Sequence, residues 1–283
     1  MVEPMLPLTM LPLSSYLIDS HCHFDFPQLD TIRDDSLARA HQLGIRQWVV
    51  PGVTAASWAR IESSMAAYEG VFPAWGLHPY FIDQHQPEHL ELLAAQLRRH
   101  PAVAVGEFGL DRMLSGELHW QQQLFYCEHQ LQLAQQLQLP VILHVRKAHS
   151  DMLALLRRYP LPRAGVLHAF SGSHEEAKRY LALGFSFGVG GSISYERATR
   201  TREVFRQLPL QSLLLETDAP DMPLSGYQGQ PNRLERLHQV LMLLAELRQL
   251  PPDVVAQQVT ANTRALFALP PPSACPEAGK DTD

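Results

Sequence analysis

Short apolar runs alternate with longer amphipathic stretches along most of this chain. The runs fall at Leu17–Ser20, Gln47–Pro51, Phe72–Gly76, Val103–Gly106, Val141–Val145, Val166–Ala169, Phe185–Val189 and Ser212–Glu216. They are brief, often β-branched and bounded by Gly or Pro, so each is predicted to be a strand. Between them, Ser36–Leu43, Ala56–Tyr68, Glu88–Arg99, Leu118–Leu137, Ser150–Arg157, Glu175–Leu183 and Thr199–Leu208 repeat apolar residues every three or four positions, the pattern of helices with one buried face. "PNRLERLHQVLMLLAELRQ" and "DVVAQQVTANTRALFAL" predict two more helices at the end.

Strands apolar on both faces, each followed by a helix-sized crossover, predict a parallel sheet covered by helices. Eight such units in about 250 residues match a (β/α)8 TIM barrel, with an open doubly wound sheet as the alternative. No Pro/Gly/Ser-rich linker interrupts the middle, so one domain is predicted over residues 16–269. Residues 1–15, "MVEPMLPLTMLPLSS", lack the basic start of a signal peptide and are predicted to be a flexible leader. Residues 270–283 are Pro-rich and polar and are predicted to be a disordered tail.

Composition narrows the function classes. With 23 basic against 29 acidic residues, a net charge of −6, the chain lacks the broad basic surface that coats nucleic acid, which leaves room for a local basic rim around a cleft. Cys22, Cys127 and Cys275 form no CxxC pair, which fits a reducing, cytoplasmic setting. No apolar run reaches the length of a membrane span, no obligate protein partner is evident, and a monomer is the default.

The chemistry lies in where ionisable residues fall relative to the strands. His21 and His23 follow the first, His78 the third; Glu107 closes the fourth, His144 lies in the fifth, His168 ends the sixth and Asp218 the eighth. In a barrel these ends converge on one mouth. If "DSHCHFD" is extended, Asp19, His21 and His23 share a face and Cys22 points away as a packing residue. Two imidazoles on one face can grip one ion, and Asp19 can orient a ring through its second nitrogen or, alternatively, cap the turn. Glu107 has two oxygens and can bridge two cations, with His144 and His168 completing a second site and Asp218 beside the first. Asp218 can also take a proton from an activated water, or simply open the turn at "DAPD". Imidazole–carboxylate ligation suits Zn2+, Mn2+ or iron and, less strictly, Mg2+.

Taken together, "DSHCHFD", "GLHPY", "VGEFGLD", "PVILHVRKA", "HAFSGS" and "LLLETDAP" resemble the successive motifs of the TatD family of metal-dependent deoxyribonucleases, and "GYQGQPNR" is similar to its YjjV-like branch. The resemblance runs from about Ile18 to Leu269. It implies a (β/α)8 barrel of the amidohydrolase-like type and two divalent cations per subunit. His21 and His23 would bind one cation, Glu107 would bridge, His144 and His168 would bind the other, and Asp218 would be ligand and base. Two departures stand out: family members often carry a second His where this chain has Tyr80, and many related barrels use a carboxylated lysine where Glu107 stands.

For substrate contact, His78, Arg112 and Arg146 follow strands three, four and five; Arg146 shares the parity of His144, although an ion pair with a neighbouring carboxylate is an equal reading for it. Glu216 has the parity of Asp218 and can hold a metal-bound His by its free nitrogen, or be satisfied by backbone donors. "GVGGSIS" lacks the spacing of a phosphate loop and is predicted to be a tight turn, and "HWQQQLFYCEHQLQLAQQLQ" an amphipathic helix. The expected function is metal-dependent hydrolysis of phosphodiesters at nucleic acid ends, plausibly 3′-to-5′. The alternatives are hydrolysis of a C–N or ester bond in a small molecule or aminoacyl ester, and a non-catalytic metal-binding scaffold.

Overall fold

The computed structural model describes residues 16–114 and 116–272. The leader, Cys275 and all but the first three residues of the proposed tail lie outside the described residues.

Strands β1 (Leu17–Asp19), β2 (Ile45–Pro51), β3 (Val71–Trp75), β4 (Ala104–Asp111), β5 (Val141–Arg146), β6 (Gly165–Leu167), β7 (Ser186–Val189) and β8 (Leu213–Leu215) form one parallel sheet in chain order. Every neighbouring pair is parallel. The ends then meet: Ser20 N–H donates to Leu215 O at 2.9 Å, Asp218 N–H to His21 O at 2.9 Å and His23 N–H to Ala219 O at 2.8 Å. The sheet is thus a TIM barrel, and its closing seam is made by the residues expected to carry chemistry.

Helices α1 (Arg33–Gln42), α2 (Trp58–Ala67), α3 (Glu88–Arg99), α4 (Glu117–Leu137), α5 (His149–Arg158), α6 (His174–Leu181), α7 (Thr199–Gln207), α8 (Leu237–Arg248) and α9 (Pro252–Phe267) surround it. Their starts are legible chemically. Ser173 Oγ accepts from Glu176 N–H while the Glu176 carboxylate accepts from Ser173 N–H, a capping box that sets the first turn of α6.

Two apolar layers result. Between sheet and helices lies the main core, with Trp48, Trp75, Phe108 and Phe187 fully buried; Cys22 belongs here, facing away from the barrel axis. Inside the barrel, Ile18, Val49, Ala74, Ala104, Ile142, Val166 and Leu214 pack with Phe267 and Leu269 from the end of α9. That apolar plug fills the bottom, so the interior is a packed floor rather than a pore. Side chains alternate along a strand, so positions two beyond Ile142, Val166 and Leu214 face inward above the plug; they are His144, His168 and Glu216. The barrel's parity therefore delivers polar groups to one end.

Candidate metal centre

Glu107 is the hub. It lies within β4 rather than at its end, is 2% exposed, and faces different groups with its two oxygens. Oε2 is 3.3 Å from His21 Nε2 and 3.9 Å from His23 Nε2. Oε1 is 3.4 Å from His78 Nε2 and 3.5 Å from His144 Nδ1. Asp218 Oδ1 lies 3.5 Å from His21 Nε2, 3.6 Å from His23 Nε2 and 3.6 Å from His168 Nε2. Asp218 reaches this position from a left-handed backbone, φ 58°, a conformation that Asp and Asn tolerate better than most residues.

The donor set fits divalent cations. His21 Nε2, Glu107 Oε1 and Asp218 Oδ1 are buried and have no hydrogen-bond partner among the described residues. Buried polar atoms are ordinarily satisfied, so several orphans facing one another imply a group that completes them. Bonds of about 2.1 Å from a tetrahedral cation place its ligands about 3.4 Å apart, close to the spacings around Glu107 Oε2 and Asp218 Oδ1.

Charge is distributed to match. Burial alone would raise the pKa of Glu107, but the fields of His78, His21 and His168 outweigh it and hold the carboxyl well below its usual range. Asp218 is also lowered: burial opposes ionisation, and His168, His21 and His23 overcome it. Burial pushes His23 down to about 4, so it is a neutral ring with a lone pair available. His168 is raised well above its ordinary value because Glu216, Asp218 and Glu107 overcome the burial that would lower it.

Neighbouring carboxylates and one backbone N–H set which nitrogen of each ring faces the centre, and these separate the histidines into two kinds. His144 lies with Nε2 3.0 Å from Asp111 Oδ2, so its N–H points at that carboxylate and the Nδ1 lone pair faces Glu107. His168 Nδ1 lies 3.1 Å from Glu216 Oε1, which aims the other nitrogen at Asp218. His78 is the opposite case. Its Nδ1 accepts from Tyr80 N–H at 3.0 Å, so the proton of the neutral ring sits on Nε2 and points toward Glu107. His78, Glu107 and His144 lie close enough to hold an ion, yet the ring of His78 presents a donor rather than a lone pair.

Other expectations are corrected. β1 ends at Asp19, so His21 and His23 converge through a turn rather than along a strand. Asp19 does not touch an imidazole nitrogen: it accepts from His21 N–H (3.2 Å), Thr217 N–H (3.0 Å) and the Thr217 hydroxyl (2.6 Å), stapling the first strand's exit to the eighth's. Two backbone N–H groups and the Thr217 hydroxyl at the barrel seam take up its oxygens. His168 stacks on His21 with centroids 3.7 Å apart and lies on the Asp218 side, instead of grouping with His144; carboxylates at both its nitrogens hold it there. Arg112 turns outward, pairing with Asp151 on α5 at 2.9 Å and lying 3.9 Å over the Trp120 ring. Arg146 remains at the mouth, its side chain 59% exposed and 3.9 Å from Asp111 Oδ2. Glu216 lies as expected beside His168 and also accepts from Ala169 N–H at 2.7 Å. "GVGG" is explained by this residue: a Cβ on Gly188 would sit 2.0 Å from Glu216 Oε2, so the strand must be bare there.

Several positioning groups escape a reading by motif. Gln130 on α4 accepts from Leu77 N–H (2.8 Å) and donates to Leu77 O (3.2 Å), one residue before His78. Gln123 does the same for Asp111, at 2.7 and 3.1 Å. His85 Nε2 donates to His78 O at 2.9 Å, and Asn232 donates to Thr217 O at 2.7 Å. The signal available for the glutamines was their seven-residue spacing on the buried face of an amphipathic helix.

Comparison with known proteins agrees with the barrel fold and identifies a family. Residues 18–268 match the family model described as TatD related DNase. The chain is 47% identical over 255 residues to YjjV of Escherichia coli strain K12, described as a metal-dependent hydrolase, covering 89% of this chain and 98% of that one. A metal-dependent hydrolase of Haemophilus influenzae is 38% identical, with 89% and 100% covered. The crystal structure of E. coli YjjV superposes with a TM-score of 0.85 over 90% of this chain and 98% of that one. A TatD family hydrolase of Entamoeba histolytica, only 19% identical, shares the fold with a TM-score of 0.79 over 92% of this chain and 99% of that one.

Proposed function

Because the chain belongs to the TatD family of metal-dependent hydrolases, we propose that it hydrolyses phosphodiester bonds at the ends of nucleic acid strands, in the 3′-to-5′ direction, with two divalent cations in the centre around Glu107. The observation that carries this reading is that the two oxygens of Glu107 face separate sets of imidazoles, His21 and His23 on one side and His144 on the other. His168 and Asp218 complete the ligand set. Zn2+, Mn2+ or Mg2+ bound there would supply Lewis acidity and a water acidic enough to be deprotonated near neutral pH.

The chain's own residues have the remaining tasks. Asp218 Oδ1 is ionised, buried and bare, which suits it to accept the proton of the attacking water. Glu216 and Asp111 hold the rings of His168 and His144 so that the opposite nitrogen faces the centre. His78 offers an N–H to a phosphoryl oxygen, and Arg146 adds an exposed cation at the rim. The centre is buried, which favours a strand end over the side of a duplex.

A substrate panel tests the proposal. The metal-reconstituted protein is assayed on single-stranded DNA, duplex DNA, RNA, bis(p-nitrophenyl) phosphate, amides and aminoacyl esters, with Asp218→Asn as control. Asn keeps the left-handed backbone tolerable, so the variant isolates loss of the carboxylate. Diester hydrolysis falling about 10²–10⁴-fold in Asp218→Asn is expected. Turnover of amides or aminoacyl esters alone overturns the phosphodiester reading.

A further inference from the structure

A hollow of about 290 Å3 lies between the loop after β7 and the loop after β8, lined by Ser192, Tyr195, Arg197, Ala198, Met222 and Pro223. Both loops leave the end of the barrel that carries the candidate metal centre. Met222 follows Asp218 by a turn closed by Asp221 N–H on Asp218 O at 2.7 Å, so one wall of the hollow is the continuation of the catalytic loop. Bonds between the two loops fix its walls to each other. Tyr195 OH donates to Pro223 O at 2.7 Å, and Ser225 N–H donates to Ser194 Oγ at 2.8 Å. Behind it, Arg202 donates to Ile193 O at 2.6 Å.

Its surface chemistry is specific. Arg197 is exposed, makes no ion pair among the described residues, and places its guanidinium 5.3 Å from the Tyr195 ring centroid. Arg200, three residues on, instead lies 3.9 Å from a carboxylate oxygen of Glu176. Met222 is 37% exposed, an unusual position for a thioether unless something covers it. A flat guanidinium beside an aromatic ring, opposite a polarizable Met, is a platform for stacking a base, and the free charge suits the phosphate attached to it.

We infer that this hollow is a nucleoside subsite: it receives the base and sugar adjoining the scissile phosphate, with Arg197 on the neighbouring phosphate and Tyr195 and Met222 against the base. The inference rests on the phosphodiester reading above and adds to it a place for the substrate's next residue. An unpaired cation on a chain of net charge −6, at the same end of the barrel as the metal centre, selects an anionic ligand that extends from that centre.

The test is binding of a fluorescein-labelled pentadeoxynucleotide, read by anisotropy in Mn2+ with the Asp218→Asn background preventing turnover. Arg197→Ala and Tyr195→Leu are each expected to weaken binding on the order of tenfold. Arg200→Ala, which removes the same charge three residues on, in the first turn of α7, is expected to change it less than twofold. Equal loss in Arg200→Ala reduces the effect to general electrostatics and overturns the subsite. Unchanged affinity in Arg197→Ala, or no binding by the parent, overturns it as well. Hydrolysis of bis(p-nitrophenyl) phosphate by the wild-type protein, measured in parallel, judges the phosphodiester reading separately.

Discussion

The side chain of Gln130 is the clearest case in which the outer helices hold the catalytic end in place. Its amide closes a two-way bond with Leu77, the residue before His78, and all three groups are buried. Gln130→Leu keeps the shape and removes both partners. Each buried backbone group left unsatisfied costs about 1–3 kcal/mol, so the two together cost roughly 4 kcal/mol at midrange. The leucine recovers about 1.5 kcal/mol from its apolar surface. A net loss of about 2.5 kcal/mol remains, which for a domain of this size lowers Tm by roughly 5–10 °C. Gln121→Leu is the matched control, because Gln121 is exposed and bonds Glu117 at 2.9 Å on the surface; its effect should stay within about 0.5 kcal/mol. Urea unfolding of both variants, with the wild-type m-value retained, gives the comparison. If Gln130→Leu loses no more than Gln121→Leu, the amide is not holding Leu77 and the argument fails.

Two further variants probe groups that touch the histidines. Asp111→Asn removes the anion facing His144 Nε2 at 3.0 Å, so divalent-cation affinity should fall about 10–100-fold by titration calorimetry with Mn2+; wild-type affinity would mean that His144 needs no fixed tautomer. Gly188→Ala drives a methyl to 2.0 Å from Glu216 Oε2 and should destabilise the protein by about 1–3 kcal/mol. Because the clash is with that one carboxylate, Gly188→Ala in a Glu216→Ala background should cost much less, and strictly additive losses would show that the strain lies elsewhere.

The fold was legible because a barrel repeats one simple rule. Apolar runs of four or five residues followed by amphipathic stretches specify strand and helix locally, and α3 begins and ends where the periodicity places it, at Glu88 and Arg99. The fourth strand was read short. Glycine at 106 punctuates the apolar run, so the pattern stops there, yet the strand continues to Asp111. Its later residues pair with β5 through backbone bonds that no side-chain pattern encodes.

The site divides along the same line. Which residue types meet at the mouth could be read from strand ends, since alternation and barrel closure carry His144, His168 and Glu216 inward together. Which atom of each residue faces the centre could not, because that depends on donors far away in sequence. The N–H of Tyr80 turns His78 from a ligand type into a hydrogen-bond donor, and a motif cannot record a main-chain bond. Asp19 shows the reverse. Its spacing from His21 suits a ring contact, but Thr217, on the opposite edge of the sheet, offers two donors once the barrel closes. The carboxylate then bonds the seam instead of the imidazole. In a closed sheet, the strand ends that share a site are therefore also the ones that compete for its polar groups, and only the closed structure decides which contact each acid makes.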